Sequence, residues 1–342
     1  MPIIWLTFFS FIIFISSEVF ADRYKEPLYE IEKKSNLIYA SNVPHLTNKH
    51  FVTSLATGLR LPSENIPSLY FYQNSNEITY GNLHFDLYRP KNDTTNNRPL
   101  VIVVHGGAFV SGSKDDLNQP IVGYCDSLAT RGYVVASIDY RVGLILKDVK
   151  NQLIIDSLDF KRALQWGVQD LQGAVRYFKN HGEMYKIDPE RIFIVGNSSG
   201  AILTLHFAIE NELRIKGIIS LWGAVVDSVH IENMTIPVLL VHGTNDKIIP
   251  FTKGKILNLD SIKKQNQFMP GYASAASAFN LIFSSPTFYG SFIMDSVLSK
   301  NHIPHETYFV NGLGHDFYDK EPYKADVLKR IVEFLYECMM LK

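Results

Sequence analysis

The chain has 342 residues, 46% hydrophobic and 20% charged, with a formal net charge of −1. That suits one large globular domain or at most two small ones, and excludes a disordered or fibrous class. No Lys/Arg cluster supplies the electrostatic footprint of a nucleic-acid binder, so a small, roughly neutral molecule is the expected partner.

In chain order, Pro2 to Ile15 is apolar and uncharged, and Val19 Phe20 Ala21 offers small residues before a cut, followed by polar Asp22 Arg23. This predicts a signal peptide over residues 1–21 and a secreted or periplasmic chain, with an uncleaved N-terminal membrane anchor as the alternative. No other membrane segment is expected. Residues 22–67 have mixed polarity and no sustained periodicity, and read as an N-terminal arm. Ser68 to Gln73 and Leu83 to Tyr88 then predict an opening antiparallel pair, the second strand alternating apolar and polar positions.

Beyond Pro99, short apolar runs alternate with helical patterns, as in a parallel sheet buried on both faces. The runs are Leu100 to Val104, Tyr133 to Ile138, Ile192 to Val195, Ile215 to Leu221, Val238 to Val241 and Thr307 to Val310. An amphipathic helix carries Leu164, Val168, Leu171, Val175 and Phe178 on one face, and the last helix runs from about Pro322 to Met340. The expected class is α/β, with an eight-stranded, mostly parallel sheet flanked by helices on both faces. Ligands in such sheets bind beyond the carboxyl ends of the strands.

Four motifs fall at those ends. Gly196 Asn197 Ser198 Ser199 Gly200 follows a strand and opens a helix, the G-x-S-x-G elbow that exposes a serine Oγ at a sharp turn. A serine hydroxyl needs a base to take its proton, and the base needs an acid to fix its tautomer. Asp246, just past Val238 to Val241, is the candidate acid, with Asp227 as its rival; His315, in the glycine-flanked loop after the last strand, is the candidate base. His242 precedes the acid and reads as a structural hydrogen-bonding residue. After Leu100 to Val104, His105 Gly106 Gly107 Ala108 Phe109 is an HGGG-like loop. The N–H groups of Gly107, Ala108 and Ser199 are the candidate oxyanion hole.

At these residues the chain resembles the α/β-hydrolase superfamily, specifically an extracytoplasmic carboxylesterase branch related to hormone-sensitive-lipase-like and feruloyl-esterase-like enzymes. The resemblance runs from about Leu83 to Glu337, with Ser137 to Arg141 and Ile187 to Arg191 as further signposts. It implies an α/β-hydrolase fold over residues 68–342, with Ser198, Asp246 and His315 as the triad of a serine ester hydrolase. Asp139, Tyr140 and Arg141 are implied to be a structural network beside the site. No cofactor and no metal is implied.

The two cysteines, Cys125 and Cys338, each lie on an apolar helical stripe, and either a disulfide or two buried thiols fits. The resemblance places both helices on one face of the sheet, which favours the bridge. Residues 251–305 exceed a usual connection and read as an inserted cap-like segment rich in aromatics, among them Phe268, Tyr272, Phe279, Phe283, Phe288 and Tyr289. With Phe109 and Trp222 they are expected to roof a pocket for short-chain or aromatic esters, including ester decorations of plant polysaccharide. An amidase or peptidase with the same triad, or a non-catalytic binding protein on the same scaffold, is the alternative.

Overall fold

The computed structural model of the chain describes residues 23–46, 49–51, 70–72, 78–109, 112–116, 121–144, 147–149, 152–155, 157–210, 213–227, 229–256, 282–283, 285–315, 317 and 320–340. The leader expected over residues 1–21 and the aromatics Phe268, Tyr272 and Phe279 lie outside them. The main sheet has eight strands: β1 (Ile31–Leu46), β2 (Ile78–Pro90), β3 (Arg98–Val104), β4 (Val134–Ile138), β5 (Ile187–Asn197), β6 (Gly217–Leu221), β7 (Val238–Gly243) and β8 (His305–Val310). Their order is β1-β2-β4-β3-β5-β6-β7-β8. β2 runs antiparallel to both its neighbours, and the strands from β4 to β8 are parallel.

Every residue of β3, β4, β6 and β7 is buried, because helices cover both faces. The period-2 alternation of a strand divides the apolar side chains between two cores. Leu100, Ile102, Val104, Ile192 and Ile194 meet the helices α2 (Ser157–Asn180), α3 (Ser199–Glu210) and α4 (Ser291–Lys300). Val101, Val103, Val135, Phe193 and Val195 face the other way, against α1 (Ile121–Ala129) and α5 (Tyr323–Met340). On α2, Leu164, Val168, Leu171, Val175 and Phe178 are all buried, as their spacing predicts.

The first strand is a correction. The described residues of the expected first strand, Tyr70–Tyr72, pair with Lys49–Phe51 in a separate two-stranded sheet and not with Leu83 to Tyr88. The partner of β2 is β1, drawn from the stretch that reads as an arm. Its alternation is broken by register shifts at Lys34/Leu37, Ile38/Ala40 and Ala40/Val43. Asn36 and Asn42 turn through positive φ of 58° and 57° at these irregularities. Each bulge moves the apolar set to the opposite face, so no window of β1 shows a clean period of two. Asp86 of β2 secures the first shift, accepting the Asn36 amide at 2.9 Å and pairing with Lys33 at 2.8 Å.

The cysteine bridge is a second correction: Cys125 and Cys338 are free and buried. Both belong to the core on the α1/α5 face, yet they sit over different strands. Cys125 lies against Ser137 of β4, whereas Cys338 Sγ is 3.4 Å from where a Cβ on Gly217 of β6 would stand. Three strand spacings separate β4 from β6, about 14 Å, twice the reach of a disulfide. Burial pushes both thiols up, Cys338 to about 12, so neither is a ready nucleophile.

The described part of the inserted segment packs against the carboxyl end of the main sheet. Lys253–Lys255 and Ala224–Val226 flank Thr287–Gly290 in a three-stranded antiparallel sheet that leads directly into α4.

Candidate active site

β5 ends at Asn197 and α3 begins at Ser199, so the whole reversal falls on Ser198, which adopts a positive φ of 55°. The flanking glycines make this possible. A Cβ on Gly196 would stand 2.3 Å from the Gly200 carbonyl oxygen, and one on Gly200 would stand 2.2 Å from the Val104 oxygen. Any larger residue at either position pushes backbone against backbone. The Ser198 amide donates to the Leu221 carbonyl at 3.0 Å, which ties the elbow to the neighbouring strand and leaves Oγ to point outward.

His315 reaches this hydroxyl from the loop after β8, with Nε2 3.0 Å from Ser198 Oγ. Its Nδ1 lies 2.7 Å from Asp246 Oδ2, past the end of β7. The three candidates are thus one hydrogen-bonded line drawn from three strand ends. Asp227, the rival acid, donates its amide to the Thr287 carbonyl at the edge of the small sheet and is not the partner of His315. His315 keeps 16% of its side chain exposed while the Asp246 carboxylate is fully covered, so the line runs from solvent inward.

Asp246 is saturated with donors. Oδ1 accepts the amides of Ile248 at 2.8 Å and Ile249 at 3.0 Å, and Oδ2 accepts from both His315 and His242, the latter at 3.2 Å. Burial alone raises the proton affinity of this carboxyl, but the His315 charge and the two imidazole bonds outweigh it and hold the group well below the ordinary range. The carboxylate is thus favoured in its ionised, accepting form.

The loop after β3 lies against the elbow: a Cβ on Gly106 would stand 3.1 Å from Ser198 Cβ. Gly107, Ala108 and Phe109 follow one another with positive φ of 115°, 54° and 62°. Left-handed conformations at Ala and Phe cost about 1–3 kcal/mol each and persist where the surroundings enforce them. Tyr140 is part of that enforcement. Its hydroxyl lies 3.1 Å from both the His105 carbonyl oxygen and Ser199 Oγ, and its ring stacks on His105 at 4.3 Å. One side chain thereby fixes the loop to the first residue of α3. Beside it, Arg141 makes a buried ion pair with Asp170 at 2.8 Å and lies over the Trp166 ring at 4.7 Å.

The expected pocket residues do not face an open cleft. Phe109 is 1% exposed and packs edge-on against Phe160 at 5.3 Å; Phe160 in turn meets the fully buried Phe288 at 5.6 Å. Trp222 is 0% exposed and sets its ring edge against His315 at 6.1 Å and Phe317 at 5.5 Å. These three aromatics are core side chains behind the site, which aromatic density in a sequence does not distinguish from a pocket wall. Among the described residues, no group of three or more His, Cys, Asp or Glu side chains is placed to hold a metal ion.

The fold of this chain recurs in solved structures. Esterase 2 of the planctomycete Thermogutta terrifontis, solved with butyrate bound, superposes with a TM-score of 0.52 at 18% identity, covering 81% of this chain and 95% of that one. The fold is that of the α/β-hydrolases. A family model described as BD-FAE matches residues 85–218 of this chain, from β2 to the second residue of β6. Among curated proteins, the probable carboxylic ester hydrolase LipM of Mycobacterium tuberculosis is 22% identical over 67% of the chain and 62% of its own length. Esterase-5A of Drosophila miranda is 28% identical over 42% of the chain and 24% of its own. The chain therefore spans between about a quarter and three fifths of these two relatives.

Proposed function

We propose that the chain is a serine carboxylic-ester hydrolase that works through an acyl-enzyme on small esters. The observation that carries this reading is the unbroken line from Asp246 through His315 to Ser198, with contacts of 2.7 and 3.0 Å. Ser198 Oγ attacks the ester carbonyl while His315 Nε2 takes its proton; His315 then gives that proton to the leaving alcohol and later activates the deacylating water. Asp246 holds Nδ1–H in place and balances the imidazolium without taking the proton. The N–H groups of Gly107, Ala108 and Ser199 receive the oxyanion, each worth about 3 kcal/mol of transition-state stabilisation.

The names of the relatives, carboxylic ester hydrolase and esterase, support the reaction class. The butyrate and propionate bound in Thermogutta terrifontis esterase 2 support a short acyl group. Aromatic esters and ester decorations of plant polysaccharide are the further substrates proposed, acted on outside the cytoplasm after removal of residues 1–21.

The same esterase 2 has been solved phosphorylated by paraoxon, and paraoxon is the direct test here. Ser198 Oγ should displace p-nitrophenolate and retain one diethylphosphoryl group, located on the Ser198 peptide by mass spectrometry. Ser198→Ala should take up none, and its turnover of p-nitrophenyl butyrate should fall by about 10⁴-fold or more. Undiminished turnover in that variant refutes the mechanism. Comparing p-nitrophenyl esters of increasing chain length, methyl ferulate, acetylated xylan and an aminoacyl anilide ranks the substrates.

A further inference from the structure

The triad acid carries a second imidazole that the reaction does not consume. His242, the fifth residue of β7, is 0% exposed. Its Nε2 faces two acceptors, Asp246 Oδ2 at 3.2 Å and the Ile249 carbonyl oxygen at 3.3 Å. Its Nδ1 lies 2.8 Å from Ser291 Oγ, and Phe251 closes over the ring edge at 5.6 Å. A nitrogen facing two acceptors carries the hydrogen, so Nε2 donates and Nδ1 accepts the Ser291 hydroxyl. Ser291 is itself immobilised. It is the buried first residue of α4, and the preceding Gly290 donates its amide to the Thr252 carbonyl at 2.6 Å.

The consequence concerns one oxygen. Oδ1 of Asp246 is fixed by two backbone amides, but Oδ2, the atom that orients His315, has among the described residues only the two imidazole donors. We infer that His242, locked by Ser291, is a positioning residue that holds Asp246 Oδ2 in line with His315 and shares its charge. This rests on the triad reading and extends the catalytic line to five side chains: Ser291, His242, Asp246, His315 and Ser198. It also connects the triad to α4, the helix within the inserted segment.

The test measures the bimolecular rate of paraoxon labelling and kcat and KM for p-nitrophenyl butyrate, each across pH, in the wild type, His242→Leu, His242→Gln and Ser291→Ala. His242→Leu keeps the volume and removes the donor. Labelling and kcat should fall about tenfold with KM unchanged, since a misaligned acid slows only proton transfer. The acid limb of the rate profile should move to higher pH, because charge that His242 shared now falls wholly on His315. His242→Gln, whose amide nitrogen can replace Nε2, should recover most of the rate and the wild-type limb. Ser291→Ala should shift both readouts the same way by about two- to threefold, and it decides the matter alone if His242→Leu does not fold. Wild-type rates and an unmoved acid limb in the Leu and Ala variants overturn the inference, as does a Gln variant as slow as Leu. A wild-type chain that paraoxon leaves unlabelled at Ser198 overturns the triad reading and this inference together.

Discussion

Two buried carboxylates on the α/β-hydrolase scaffold show how differently a protein can treat one functional group. Asp246, on the loop after β7, receives four N–H donors from four residues, two of them backbone amides. Asp170, in the middle of α2, receives every hydrogen bond given to it from one residue, Arg141, through its amide and its guanidinium. Their proton affinities move in opposite directions. At Asp170 burial wins over the Arg141 contacts and the carboxyl rises above the ordinary value of 3.8; at Asp246 the donors win over burial and it falls below. Two imidazoles converging on the Asp246 carboxylate, His315 first through its charge, offset burial where the single Arg141 guanidinium at Asp170 does not. The first arrangement keeps the proposed triad acid ionised, and the second secures the segment after β4 to α2.

The largest separation between the two should be in activity. Asp246→Asn leaves His315 without an acceptor that selects its tautomer, and kcat on p-nitrophenyl butyrate should drop by about 10³- to 10⁴-fold. Asp170→Asn should lose less than about tenfold in the same assay, because its hydrogen bonds run to Arg141 and not to Ser198, His315 or Asp246. Comparable losses in the two variants would erase the distinction.

Stability should reverse the ranking. Asp170→Ala strands the Arg141 guanidinium in the core and should cost about 3–5 kcal/mol in urea unfolding. Asp246→Asn keeps a side chain of the same size among its donors, and should cost about 1–2 kcal/mol.

Acid unfolding gives the smallest effect and the finest discrimination. The ionised Asp246 contributes stability that is fully present above 3.8 and is lost as pH falls below it toward the lowered folded value. Asp170 does the reverse: its folded carboxyl takes a proton first, so the penalty on its charge is lifted as pH falls through the raised value to 3.8. Below pH 3.8, stability in Asp246→Asn should therefore decline less steeply than in the wild type, by at most about 1.4 kcal/mol per pH unit. Just above pH 3.8, Asp170→Asn should decline more steeply than the wild type. Parallel curves for all three chains would show that neither carboxylate titrates differently on folding.

The elements and residues legible in the sequence share a common property. β3, β4, β6, β7 and the second half of β5 are apolar runs whose burial on both faces makes them visible without alternation, while the edge strand β8 shows only a short apolar end, and each candidate of the line Asp246, His315, Ser198 stands within a few residues of one of these strands. β1 was not legible, because its bulges at Asn36 and Asn42 scramble the period of two and an edge strand needs only one buried face. Phe109 and Trp222 were read as pocket walls because aromatic residues beside a site look the same in sequence whether they face a ligand or the core. His242 gave a partial signal, lying four residues before the acid, but Ser291 gave none.

The sequence by itself determined the order of the candidate nucleophile, acid and base and the strand ends that carry them, because an elbow, a buried run and a glycine-flanked loop are properties of consecutive residues. Only the tertiary structure decided what meets across distance. The order of strands sets Cys125 and Cys338 over β4 and β6, too far apart to bond. The approach of α4 to β7 brings Ser291 to His242 across 49 residues of chain. Such contacts depend on the packing of whole layers and leave no periodicity behind, so the contacts around Asp246 become visible only once the sheet is assembled.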